Sequence, residues 1–284
     1  MEMQLSAEHQ GSPPITEERE PTVPLEAPPV PGLRADFLMA LRFFSRLPTG
    51  DATHEIPDLN RIALALPFAS LVIGVGPAAL LLLTGWLGLP SYFGAALAVG
   101  AAVLVGGAMS EDAIADSADG LFGGATAARR LEIMKDSRHG TYGVAALCLF
   151  LVLRIAALGA IAMVNPLAAA GLWLGASVMG RSCALWLAAS AAPARTDGAG
   201  ATAGQLLKRN FAVGAGFALL IGFVLAAPFA GLLGLGLGLA IGLATILGWT
   251  VLCVRLVGGQ TGDLVGALVA LLEIGLLTGF LAGL

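Results

Sequence analysis

Seven apolar stretches, near residues 62–89, 92–109, 141–164, 166–191, 211–231, 234–255 and 264–284, follow one another with only short polar breaks. Each is close to or above the roughly 20 residues needed to cross a bilayer. A chain that enters lipid must satisfy its backbone hydrogen bonds internally, so stretches of this kind fold as helices packed on one another. The expected fold class is therefore all-α, a polytopic transmembrane bundle of about seven spans. Composition agrees, with 57% hydrophobic and only 12% charged residues in 284. Pro67 and Pro77 fall inside the first stretch, where they would kink it or split it into re-entrant pieces.

Residues 1–32 hold seven prolines and six glutamates without hydrophobic periodicity, a composition expected of a disordered tail in front of an integral membrane domain spanning 33–284. The tail lacks the basic start, short apolar core and small-residue cleavage site of a secretory signal. In GLRADFLMALRFFSRLPTG, Leu33, Phe37, Leu41, Phe44 and Leu47 recur at helical spacing, with Arg34, Arg42 and Arg46 mostly on another face. This predicts a helix lying in the membrane interface, the alternative being an amphipathic helix packed on the rest of the protein. The net charge of −4 arises largely here, since ten of the nineteen acidic residues precede residue 62, and nothing in the charge pattern points to nucleic acid.

The breaks near 90, 165 and 232 carry no Lys or Arg, whereas the alternate breaks hold Arg129, Arg130, Lys135, Arg138, Arg195, Lys208, Arg209 and Arg255. By the positive-inside rule the N-terminus faces the cytoplasm and the C-terminus faces outward. Arg154 and Arg181 fall inside predicted spans; an intramembrane charge is costly unless paired or hydrated, which makes each a candidate for substrate binding, with snorkelling as the alternative. Gly234, Gly238 and Gly242 permit close helix packing, within the bundle or at a homo-oligomer face. Cys148, Cys183 and Cys253 show no paired spacing, and His9, His54 and His139 do not cluster.

Against this apolar background SEDAIADSADG, residues 110–120, places Glu111, Asp112, Asp116 and Asp119 within nine residues. Asp112, Asp116 and Asp119 stand at i, i+4 and i+7, on one helix face. Three like charges so placed raise one another's pKa values, and a hard divalent cation, Mg²⁺ or Mn²⁺, is the natural compensation. Glu111 points about 100° around the helix, as a supporting residue or toward water. The segment LFGGATAARRLEIMKDSRHGTYG then supplies Arg129, Arg130, Lys135 and Arg138 with Asp136 among them. Cations for phosphate oxygens beside carboxylates for metal suit a pyrophosphate. A solvated acidic helix end and positive-inside bias are the plainer accounts of the same residues.

DSADG, GG and RRLEIMKDSRHGTYG together resemble the signature of the cobalamin-5′-phosphate synthase family, or adenosylcobinamide-GDP ribazoletransferases. FLMALRFFSRLPTG is similar to the family's N-terminal Arg-Leu-Pro motif, MGRSCALW to a Gly-Arg motif in a middle span, and RLVGGQTGDLVGA to its Gly-Gly-x-Thr-Gly-Asp motif. The resemblance runs from about residue 34 to the end. It implies metal ligation by Asp112, Asp116 and Asp119, phosphate contacts from Lys135 and Arg138 with Asp136, Arg129 and Arg130 nearby, and a general base at Asp119 or Asp263. It further implies Mg²⁺ as cofactor, adenosylcobinamide-GDP and α-ribazole or its 5′-phosphate as substrates, GMP as product, and a place among the lipids of the bacterial inner membrane. The chain departs from the pattern at Ser110, where His is usual, at Ala113, where Gly is usual, and at His139, where Ile is common. A CDP-alcohol phosphotransferase would instead show Asp-Gly-x-x-Ala-Arg before Gly-x-x-x-Asp-x-x-x-Asp, an order absent here. A transporter would show two similar halves; an inactive scaffold for other corrin enzymes is the remaining alternative.

Overall fold

In the computed structural model, residues 32–50, 56–195 and 205–284 are described. The expected tail, apart from Gly32, lies outside them. The helices are α1 (Leu33–Phe44), α2 (Leu59–Trp86), α3 (Ser91–Gly106), α4 (Met109–Gly123), α5 (Ala127–Ile133), α6 (Thr141–Val164), α7 (Pro166–Ala184), α8 (Trp186–Ser190), α9 (Lys208–Val257) and α10 (Gly262–Leu281). The only extended pairing among the described residues is an isolated bridge between Pro193 and Gln260.

Several helix starts follow from local capping chemistry. Asp58 accepts the amide of Asn60 ahead of α2, and Asn165 accepts those of Leu167 and Ala168 with Pro166 at the first position of α7. Thr261 accepts the amide of Leu264 to open α10. Helix α2 runs unbroken through Pro67 and Pro77 for 28 residues. Proline at 67 removes the amide that would reach the Ala63 carbonyl. That carbonyl faces Gly214 of α9, where any Cβ would collide with it.

Among the described residues five helices are long and apolar enough to cross a membrane, or six spans if the bent pair α3–α4 is taken as one. The seven expected stretches fall on these elements, because 211–231 and 234–255 are the two limbs of α9. That 50-residue helix is broken at Gly231, whose φ of 61° is non-helical. Gly171 of α7 meets Phe229 before the break, and Gly234 meets Phe280 and Gly283 of α10 after it. Cys253 and Val257 then pack in the same cluster as Leu264 and Leu268. The chain therefore reverses at Gly231, and both ends of α9 lie at the end of the bundle where α10 begins. The Gly234, Gly238 and Gly242 row faces Phe280, Leu276 and Leu272, so its close packing is intramolecular.

The helix predicted over 33–47 forms as α1, with Met39, Ala40, Leu41 and Phe44 buried in one cluster with Leu59, Ile62, Leu66 and Leu185. The second half of its apolar face is thus covered by the protein, whereas Leu33 is 87% exposed. α4 turns 86° from α3. Two successive residues make the corner, Gly107 at φ 64° and Ala108 at φ 56°. Left-handed backbone is natural for glycine and costly for alanine, by about 1 kcal/mol. α4 therefore departs from the direction of α3 and packs against α6 and α10, with Glu111 reaching Arg154 and Asp119 reaching the first residues of α6.

Candidate active site

Asp112 and Asp116 stand one turn apart on α4, and the first turn of α10 brings Asp263 beside them. Asp116 lies outside the spanning helices, and its carboxyl is pushed up from 3.8 to about 6, first by burial, then by the charges of Asp112 and Asp263. His139, with Nδ1 3.7 Å from Asp116 Oδ1, acts in the opposite direction. Asp263 is steadied by Arg195 at 3.2 Å and by the Thr261 hydroxyl at 3.4 Å. No group of three His, Cys, Asp or Glu side chains that could by itself hold a metal ion is formed among the described residues. The oxygen donors on offer are thus carboxylates that need further ligands from a substrate.

Asp119, the third residue of the expected metal face, is engaged otherwise. Its two oxygens accept the amides of Gly140, at 2.6 Å, and Gly143, at 2.8 Å, at the start of α6. A carboxylate there satisfies orphan amides and sits favourably at the positive end of the helix dipole. Gly143 is required for this approach, because a Cβ would strike Asp119 and the Ala115 carbonyl.

The basic segment divides by role. Arg130 donates to the carbonyls of Leu121, at 3.1 Å, and Leu256, at 3.0 Å, fastening α5 to the ends of α4 and α9. Arg129 pairs with Glu132 at 2.8 Å on an exposed face. Asp136 and Arg138 pair at 2.8 Å, with the Arg138 guanidinium largely exposed. Hydrogen bonds from Arg138 hold the Asp136 carboxyl down at about 2. Lys135 lies exposed in the turn between α5 and α6.

Arg154 and Arg181 line a small space with Ser110 and Glu111, which Asp112 and Asp116 do not line. Arg154 is 4% exposed, in the middle of α6. Its guanidinium reaches Glu111 at 3.1 Å and Glu273 at 3.2 Å, between the rings of Phe150 and Trp173. Glu273 also accepts the Trp173 indole N–H at 2.9 Å and the Ser177 hydroxyl at 3.0 Å. Arg181 lines the same small space beside Ser110 and Glu111. Glu111 therefore faces inward and ties α4 to α6 and, through Arg154, to α10.

This geometry can be set beside known proteins. A sequence profile described as Cobalamin-5-phosphate synthase matches residues 36–281. The chain belongs to the cobalamin-5-phosphate synthase family. An adenosylcobinamide-GDP ribazoletransferase of Azorhizobium caulinodans is 42% identical over 255 residues, covering 87% of this chain and 95% of that relative. One of Xanthobacter autotrophicus is 42% identical over 243 residues, covering 82% and 90%. No solved structure matches the chain.

Sequence reasoning missed Glu273, although a lone carboxylate inside an apolar stretch is the same signal that singled out Arg154. It also missed the pairing of Arg195 with Asp263. Both pairings join residues far apart in the chain, so spacing along one helix could not reveal them.

Proposed function

We propose that the chain transfers the adenosylcobinamide phosphoryl group from adenosylcobinamide-GDP to a ribose hydroxyl of α-ribazole or its 5′-phosphate, releasing GMP. The carrying observation is the carboxylate group Asp112, Asp116 and Asp263 at the bundle end, on a family member with ribazoletransferase relatives. The raised Asp116 carboxyl supports a cation requirement, because like charges held together call for a counter-ion. The donor set fits Mg²⁺, which ordinarily takes one or two carboxylates and completes its shell with water and substrate phosphate. Asp112 and Asp116 would hold it, and when bound it neutralises charge on the pyrophosphate and on the departing GMP.

The protein's own side chains supply the remaining steps. Asp263 takes the proton of the attacking ribose hydroxyl; Asp119 is less suited, since both its oxygens are engaged by backbone amides. A bond forms between that hydroxyl oxygen and the phosphorus attached to cobinamide, and the bond from this phosphorus to the GMP oxygen breaks. Lys135 and the exposed Arg138 hold non-bridging oxygens, with Asp136 orienting Arg138. Arg154 and Arg181 act within the bundle, by fixing the helix that carries Asp112 and Asp116. Lys and Arg gathered at this end support a cytoplasm-facing site in a bacterial inner membrane.

The test is an omission experiment on the purified, lipid-reconstituted chain. GMP release should require adenosylcobinamide-GDP and α-ribazole together. Equal release without the acceptor would make the protein a hydrolase, and no release with both would remove the transferase reading.

A further inference from the structure

Two cavities meet at Asp112. One, of about 170 Å³, is walled by Phe43, Phe44, Leu185, Ala188 and Val265, and its polar groups are confined to Asp112, Asp263 and the Gln260–Gly262 turn. The other, of about 330 Å³, is lined by Arg42, Ser45, Arg46 and the Gly106–Ala108 corner. Phe43, Met109 and Asp112 line both. The end of α1 therefore forms part of the site, and with it the Arg-Leu-Pro segment that the mechanism above leaves without a role.

Arg46 is built into this position. Its backbone amide donates to the Val105 carbonyl at 2.7 Å. Its side-chain stem lies on Gly107, where a Cβ would fall 2.8 Å from Cγ and 2.5 Å from Nε. Glycine at 107 thus serves both the left-handed corner and the seat of the arginine. Arg42 is fixed beside it through the Thr49 hydroxyl at 2.7 Å and the Thr49 carbonyl at 3.2 Å. No ion-pair partner for Arg46 is present among the described residues. Two guanidinium groups next to a carboxylate, one of them unpaired, suit a phosphate monoester.

The apolar cavity has the size of one small ring system, since apolar cavities of about 150 Å³ take up benzene. Guanine would turn several donors and acceptors toward carbon-lined walls, each unpaired group costing affinity. A flat heteroaromatic ring with few hydrogen-bonding groups suffers no such loss.

Resting on the transferase reading, we propose that the two cavities form one subsite for the acceptor nucleotide. The ring of the α-ribazole-type base enters the apolar cavity and its 5′-phosphate is held by Arg46 and Arg42. The ribose then lies between them, with its hydroxyl at Asp112 and Asp263.

The experiment measures initial rates on the lipid-reconstituted full chain, varying donor, α-ribazole and α-ribazole 5′-phosphate independently. Arg46→Gln should cut kcat/KM for the phosphorylated acceptor at least thirtyfold more than for the unphosphorylated one. Ala188→Leu, which fills the apolar cavity, should raise KM for both acceptors at least tenfold while moving donor KM less than twofold. Ala188→Val serves as a milder filling, with thermal unfolding reporting whether either variant is folded. Equal losses with both acceptors and a raised donor KM in Arg46→Gln would assign the arginines to the donor pyrophosphate and overturn the proposal. Unchanged acceptor KM in folded Ala188 variants would overturn the base assignment. Equilibrium binding of α-ribazole 5′-phosphate separates this from failure of the transferase reading. Tight binding weakened by Arg46→Gln supports the subsite even in a chain without turnover, and binding indifferent to both substitutions refutes it.

Discussion

Replacing Arg154 by methionine should be among the most damaging single changes in the protein, because its guanidinium is buried between two carboxylates. The guanidinium is 4% exposed and is the shared partner of Glu111 and Glu273. Methionine approximates the volume but leaves two buried carboxylates facing one remaining cation, Arg181. Removing one member of a buried ion pair costs about 3–5 kcal/mol, because the other charge stays desolvated and uncompensated. For a chain of this length that corresponds to a fall of roughly 10 °C in melting temperature. Adding Glu273→Gln restores charge balance between Glu111 and Arg181, and the amide oxygen can still accept from Trp173. The double variant should therefore recover most of the loss, as expected when a buried pair is removed whole. Unfolding can be followed with a thiol-reactive dye in a Cys148→Ala background, since Cys253 is buried and Cys183 partly so. A single variant as stable as the parent, or a double variant no better than the single, would refute the reasoning.

Four further outcomes follow from the geometry. Asp119→Asn should lower stability by about 2 kcal/mol, since a neutral amide cannot accept both the Gly140 and Gly143 amides as the carboxylate does; thermal unfolding checks this, and full stability with lost turnover would return Asp119 to the metal site. Gly143→Ala should cost about 1–3 kcal/mol by the same assay, through its collision with Asp119 and the Ala115 carbonyl; an unchanged melting temperature would contradict it. For the metal-free protein, a folded-state pKa raised from 3.8 to about 6 at Asp116 means that stability from this group declines as pH rises through that window. Asp116→Asn should accordingly gain on the parent at pH 8 by about 1 kcal/mol, after discounting for solvent screening, and not at pH 4. Mg²⁺ affinity of the parent should weaken below pH 6, and a pH-independent affinity would count against the assignment.

The spans and the acidic face were legible because they are local. Apolar length alone marks α2, α6, α7, α9 and α10, and i, i+4 spacing alone puts Asp112 and Asp116 on one side of α4. Contacts between distant segments were not. The helical angle of Glu111 leaves open a supporting role or a place in water, and only the 86° turn at Gly107–Ala108 shows it pointing into the bundle toward Arg154. Asp119 shares a face with Asp112 and Asp116, yet α6 begins where its carboxylate can cap it. The amphipathic pattern of α1 announces a helix with one apolar face, but only the packed structure shows Leu59, Ile62 and Leu66 covering the second half of that face.

The central claim is that Asp112, Asp116 and Asp263 hold a metal-dependent phosphoryl-transfer site. GMP release from adenosylcobinamide-GDP and α-ribazole, measured with Mg²⁺ and with EDTA for the parent and Asp116→Ala, tests it most directly. Release that needs Mg²⁺ and falls at least a hundredfold in a folded Asp116→Ala protein is the predicted result. Release that survives EDTA, or that persists undiminished in Asp116→Ala, would contradict the account.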